Sequence, residues 1–277
     1  SKVDKKGAEE SGLAEGTPIF YRAGDKPNNA LSLNVFNPGE VAATGGTSGV
    51  VYAMTNSLSV KESSRVNNFA HVNYKKGNEP RIGKLLCING AGIQYRWLLN
   101  NLSVSSYEEM NNLASDIPVG SDGVCMIPFG NGAERMLNSK DIGTRLVNIN
   151  LNNHGKGHIC RAALEGIAFS FVYGMEIMKS DGIEVNVMRA GNDNLFRSEI
   201  FSNTVATLIG HEIEIYNTTG AIGAARASGL HEGDFETFGK YITDNDHVMT
   251  YMPFKDKQPY LEAYQLWKNE LELIINK

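Results

Sequence analysis

The hydrophobic period of this 277-residue chain switches once, near residue 90, and that switch most limits the folds open to it. Ahead of it the apolar residues come in short runs: LSLNVF (31–36), EVAAT (40–44), GVVYAM (49–54), FAHVNY (69–74) and KLLCI (84–88). Each run is rich in branched or aromatic residues and bounded by Gly, Asn, Pro or Ser, which predicts β-strands joined by tight turns. Beyond Gly90 the spacing turns helical, with Ile93, Trp97, Leu98 and Leu102 about a turn apart. A long helix is predicted over 156–179, where Ile159, Ala163, Ile167, Phe171 and Met175 recur every fourth position. Then follow a strand VNVM (185–188), a glycine turn AGNDN (190–194), a helix LFRSEIFSNTVATLI (195–209) and a strand EIEIY (212–216). A glycine-rich helix start TGAIGAARASG (219–229) and an amphipathic helix over 259–276 complete the chain. Upstream of all these lie a short helical pattern stopped by Gly12, an apolar strand over 18–21 and the turn-rich AGDKPNNA (23–30). Antiparallel strands first and helix–strand–helix units afterwards predict a mixed α/β fold.

No repeat, low-complexity tract or long linker interrupts this pattern, which reads as one domain over 23–277 with a lead-in over 1–22. The length suffices for an independent core. The net charge of −5, with Lys and Arg scattered, argues against a nucleic-acid partner held by phosphate neutralisation. Cys87, Cys125 and Cys160 are widely spaced and form no CxxC pair. They read as reduced thiols of a cytoplasmic protein, not as a disulfide framework or a zinc site. No apolar run reaches bilayer length and no signal-peptide core opens the chain, so no membrane partner is expected.

Each motif has an ordinary reading beside the functional one. GGTSG (45–49) between two strands is either a hairpin turn or a phosphate cradle, since backbone N–H groups converge where no Cβ intrudes. It is not a Walker A loop, because no GK[ST] follows. Asp25, after a strand and a glycine, is either a turn residue bonding its own backbone or a general base. AGNDN could bring amides to a nucleotide at a helix start, although any αβ unit needs such a turn. The small residues of TGAIGAARASG favour close backbone packing. His71, His154, His158, His211, His231 and His247 show no metal-ligand spacing, so no metal is assigned to them.

The order of the motifs is far more specific than any single one. AGDKPNNA, GGTSGVVYA, NGAGIQYRWLLNNL, IPFGNGAERM, RAALEGIAFSF, MRAGNDNLFRSEIFSNTVA and GAIGAARASG together resemble the C-terminal half of the FGGY carbohydrate kinases, closest to their xylulokinase branch. The resemblance implies a ribonuclease H-like, actin-like ATPase domain of the sugar kinase/heat-shock-70/actin superfamily, a mixed sheet flanked by helices. It implies transfer of the ATP γ-phosphoryl to a sugar hydroxyl with Mg²⁺, and a two-domain enzyme closing over a cleft. By position, Asp25 matches the catalytic base, Gly46 and Thr47 the loop meeting the phosphates, and Gly92 the segment on the phosphate and ribose side. Gly191 and Asn194 match the adenosine-side turn. Glu134 and Arg135 match a GERTP-like segment, with Met136 departing from it, and are read as mainly structural; RAALEG is read as packing. Such chemistry is positioning, charge neutralisation and a base for the hydroxyl.

Family members are nearly twice as long, so the resemblance also implies that residues 1–22 are the tail of an N-terminal domain, the partner of this half. That domain would supply the sugar contacts and a metal-holding aspartate. A homodimer is left open. Other FGGY kinases acting on gluconate, ribulose or glycerol remain alternatives, as does a non-catalytic nucleotide-binding module of the actin-like kind. Asp25 argues against the last, because a binding module has no use for a base.

Overall fold

The computed structural model describes residues 1–19, 23–77, 79–230 and 234–276. A short helix α1 (Lys5–Ser11) opens it, capped by the Asp4 carboxylate and ended by Gly12 at φ 74°. Helix α2 (Asp25–Ser32) then leads into strands β1 (Glu40–Gly45), β2 (Gly49–Thr55), β3 (Asn67–Ala70) and β4 (Ile82–Ile88). Helices α3 (Gly92–Asn101) and α4 (Tyr107–Ser115) follow, then a small ribbon of β5 (Cys125–Ile127) and β6 (Arg145–Val147). The long helix α5 (Lys156–Ser180) precedes β7 (Val187–Gly191), α6 (Glu199–Ile209), β8 (Ile213–Tyr216) and α7 (Gly220–Ala227). Helix α8 (Phe235–Asp246), strand β9 (His247–Tyr251) and helix α9 (Gln258–Ile275) complete the fold.

Seven strands form one sheet in the order β3-β4-β2-β1-β7-β8-β9. β1, β7 and β8 run parallel, and β4, antiparallel to β2, runs the same way as β1. Because side chains alternate across a strand, the two faces of the sheet bury different sets. Val41, Ala43, Val51, Ala53, Leu86 and Ile88 face the larger core, shared with α3, α4, α5, α6 and α9. Ala42, Val50, Tyr52, Met54 and Leu85 face the opposite side, against Ala30, Leu33 and Val35 near α2 and Ile242 of α8. The result is a three-layer sandwich. Helix α5 carries more than the expected stripe, since nearly all of residues 160–178 are buried around its whole circumference. No described helix is long and apolar enough to cross a membrane.

Two local expectations are overturned. AGDKPNNA is not a turn: from Asp25 it forms α2, with Gly24 at the N-cap and an acidic residue in the first turn. Proline in a first helical turn removes no needed donor, so Pro27 is compatible with that start. LSLNVF is not a strand either. Leu31 and Ser32 end α2, Asn34 turns at φ 57°, and Leu33, Val35 and Phe36 are buried against α2, α7 and α8 neighbours. An apolar run enclosed on every side has no period that separates strand from helix. β3 starts two residues before FAHVNY and stops at Ala70; beyond it the His71 N–H still donates to Arg81 O at 2.9 Å and the buried His71 ring meets the Tyr52 hydroxyl at 3.0 Å. Of the strand expected over 18–21, Pro18 forms an isolated bridge with Lys2, and residues 20–22, like His231, lie outside the described residues.

Candidate functional site

The C-terminal ends of β1, β4, β7 and β8 open on one edge of the sheet, the place where open α/β sheets present ligand-binding loops. The 45–49 turn leaves β1 there and closes the hairpin to β2, with Gly45 paired to Gly49. Helix α3 begins beside it after β4. Ala91 offers no side-chain cap; the turn's carbonyls take that role, Gly92 N–H donating to Gly46 O at 3.1 Å and Ile93 N–H to Thr47 O at 3.0 Å. A Cβ on Gly92 would stand 2.4 Å from the Gly46 carbonyl oxygen, so only glycine lets α3 approach the turn this closely. Gly46, Thr47 and Gly92 are thus in direct contact, with the Thr47 residue exposed at the tip.

On the neighbouring strand, β7 ends at Gly191, buried against the chain that leaves β8: Asn192 N–H donates to Tyr216 O at 2.8 Å. Asn194 adopts φ 49°, a left-handed conformation that asparagine tolerates, and starts a short 3-10 turn (Asn194–Arg197). Leu195 in that turn lies against Gly45, joining the second turn to the first. Beyond β8, Thr219 caps α7 by accepting the Ile222 N–H at 3.2 Å. Thr218 beside it is 7% exposed, and its hydroxyl has no hydrogen-bond partner among the described residues.

Asp25 comes from the other side of the sheet, as the first residue of α2. Its carboxylate is exposed and pairs with Lys26 Nζ at 2.9 Å. The Lys26 hydrogen bond and charge outweigh slight burial and hold its pKa below the usual value. One contact ties α2 to the same edge. Helix α7 lies on it so closely that a Cβ on Gly223 would stand 2.4 Å from Ser32 Cβ, which bears out the close-packing reading of the small-residue helix start. Cys87 on β4 feels the charges of Lys26, Arg135, Glu134 and Asp25 after burial has raised its thiol pKa.

Sequence reasoning passed over two polar clusters behind the edge. Glu134, read as structural, is 1% exposed and accepts the backbone N–H groups of Asn89 and Gly90. In RAALEG, Arg161 donates to Glu165 at 2.6 Å, and the Glu165 carboxylate accepts the Gly120 N–H at 3.1 Å, a tie between α5 and the loop before β5. An acid two residues after the glycines at 130 and 132 was the local signal for the first. Among the described residues no group of three or more His, Cys, Asp or Glu side chains is placed to hold a metal ion.

Residues 41–230 match the FGGY family of carbohydrate kinases, C-terminal domain. The xylulose kinase of Haemophilus influenzae is 25% identical over 268 residues, covering 94% of this chain and 52% of that protein. A glycerol kinase of Beutenbergia cavernae is 27% identical over 267 residues, covering 94% of this chain and 51% of that protein. The crystal structure of xylulose kinase from Rhodospirillum rubrum superposes with a TM-score of 0.81 at 20% identity, covering 100% of this chain and 56% of that one. The fold is therefore the actin-like ATPase type expected from the motif series, a mixed sheet flanked by helices. The chain spans about half the length of the curated relatives it matches.

Proposed function

The chain belongs to the FGGY family of carbohydrate kinases, as its C-terminal domain, and from that premise we propose that it is the ATP-binding half of a kinase that phosphorylates D-xylulose. One observation carries the reading: the 45–49 turn, the start of α3 and the 191–194 turn meet along a single sheet edge, with α2 packed on α7 beside it. In it, Gly46, Thr47 and Gly92 meet the phosphates, Gly191 and Asn194 meet the adenosine, and the exposed Asp25 takes the proton of the attacking hydroxyl. The Lys26 ion pair and the amides at the start of α2 keep Asp25 ionised, as a base must be. Little covalent help is needed for phosphoryl transfer; alignment and charge neutralisation dominate. Magnesium would supply that neutralisation when bound, held in part by the aspartate that the family resemblance places on the N-terminal domain. Residues 1–22 are taken as the tail of that preceding domain, and closure of the two halves would exclude water in favour of the sugar hydroxyl.

Xylulose is put forward because several of the relatives and solved neighbours are xylulose kinases, although glycerol and gluconate kinases occur among both as well. A coupled ADP-release assay on the two-domain enzyme, run with D-xylulose, D-ribulose, gluconate and glycerol, tests it. D-Xylulose is expected to give the highest kcat/KM. A preference of about tenfold or more for another of these, a normal scale for pocket discrimination, would replace the sugar and keep the kinase. ADP binding with no sugar-dependent release for any of the four would leave the non-catalytic module standing instead.

A further inference from the structure

Glu134 is a buried acid that the proposed chemistry does not use. Both its oxygens receive the Asn89 N–H, at 3.0 and 2.9 Å, and Oε2 also receives the Gly90 N–H at 3.2 Å. The same loop is fixed from other directions. Asn89 Nδ2 donates to Ala133 O at 2.9 Å, and Asn131 Nδ2 donates to Asn89 O at 3.3 Å. Gly90 is pressed on the 128–129 backbone, where a Cβ would meet Pro128 O at 2.3 Å. Two residues later the chain reaches Gly92 and Ile93, whose N–H groups hold the carbonyls of Gly46 and Thr47. One carboxylate therefore stands at the head of a relay running from the 131–134 segment, through the β4–α3 loop, to the 45–47 turn.

The electrostatics of the arrangement are unusual for a structural prop. Among the described residues no ion pair includes Glu134. The neighbouring Arg135 turns its guanidinium to Ser63, Ser64 and Asn67, and Lys140 reaches the Ile275 carbonyl. On β4 the thiol of the half-buried Cys87 lies within electrostatic range of Glu134, of Arg135 and of Lys26 and Asp25 on α2. A buried carboxylate answered only by backbone amides is a poor way to gain stability, since a neutral side chain of similar shape avoids the desolvation. It is a good way to fix amides in place, because charge-assisted bonds are short and directional.

We propose that Glu134 is a positioning residue of the nucleotide site: its carboxylate sets the β4–α3 loop and, through Gly92 and Ile93, the 45–47 turn that meets the phosphates. The phosphate part rests on the proposed function; the relay does not. Burial raises the Glu134 pKa to about 6, against the pull of the Asn89 and Gly90 N–H groups. Protonation removes an acceptor and aims an O–H at the same amides, so the clamp is present at neutral pH and loosens as pH falls through that value.

Amide exchange on the 277-residue chain, with calorimetric titration of ADP beside it, tests this. Glu134→Gln keeps the shape but offers an NH₂ where an acceptor is required. The expected result is exchange faster by about tenfold or more at Asn89, Gly90, Gly92 and Ile93, the scale of one charge-assisted bond. ADP affinity should fall by a similar factor with no loss of thermal stability, a split that a merely structural role would not produce. In the wild-type chain, protection at Gly92 and Ile93 should decline with a midpoint near the Glu134 pKa, and this midpoint should be absent from the Gln variant. That wild-type titration decides the matter even if the variant does not fold. Unchanged exchange at Gly92 and Ile93, in the variant or across the titration, overturns the relay. A wild-type chain that binds no ADP overturns the phosphate reading while the exchange result still decides the clamp.

Discussion

Replacing Lys84 by methionine should destabilise the chain by about 3 kcal/mol, the lower end of the range for breaking a buried ion pair. Lys84 lies on β4, the strand that carries the site loop, and its side chain is 0% exposed, as is that of Asp181 opposite. Its ammonium donates to Ser59 O at 2.8 Å, to Asp181 O at 2.9 Å and to the Asp181 carboxylate. Methionine fills the same volume but leaves those two carbonyls and one carboxylate oxygen without that donor. The other carboxylate oxygen keeps the N–H groups of Lys61 and Glu62, which is why the lower end applies. Urea unfolding followed by fluorescence measures the effect. With a slope of about 3 kcal/mol/M, the upper end for small proteins, the midpoint should fall by about 1 M. Asp181→Asn added to Lys84→Met should recover much of the loss, since no buried charge then remains and the amide oxygen still accepts the Lys61 and Glu62 N–H groups. The pH dependence has a definite sign. Burial works against the Asp181 carboxylate, but the bonds from Lys84, Lys61 and Glu62 outweigh it and lower its pKa. Its contribution is present above the unfolded pKa and is lost as pH falls through the lowered folded one. In the methionine variant the unpaired acid gains by protonation, so the gap to wild type should narrow in acid. A midpoint shift under about 0.3 M at unchanged slope, or no recovery in the double variant, would refute the reasoning.

Two further outcomes follow from the site and the layers around it. In the two-domain enzyme, Asp25→Asn should lower kcat by about 10² to 10⁴ with the KM for ATP nearly unchanged, the loss expected of a positioned base; retention of more than about a tenth of the wild-type rate would leave Asp25 as the helix-start residue it also is. Gly223→Val should cost about 1–3 kcal/mol by overpacking, because even a Cβ there meets Ser32 Cβ at 2.4 Å and Asn28 O at 2.9 Å; an unchanged melting temperature would show that α2 and α7 separate freely.

The strands β1, β2 and β4 were legible in the sequence because each alternates between two buried faces within glycine and asparagine boundaries. The same holds for α5, α9 and the β7–α6–β8 unit, whose periods run long enough to declare themselves. Where the period is short or the run is enclosed, local reading failed. The start of α2 was taken for a turn and its end for a strand, and α4, the β5–β6 ribbon, α8 and β9 were not anticipated. The candidate site divides in the same way. The glycines at 46, 92 and 191 stand out in the sequence because the chain needs turns there. That Gly92 is held against Gly46, that Glu134 answers amides 45 residues earlier and that Lys84 meets Asp181 97 residues later were decided only when the sheet closed. Local sequence sets backbone preference and hydrophobic period, which act over a turn or a strand. Burial of both sheet faces chooses which distant segments meet, and polar groups caught between them take the partners that packing brings within reach.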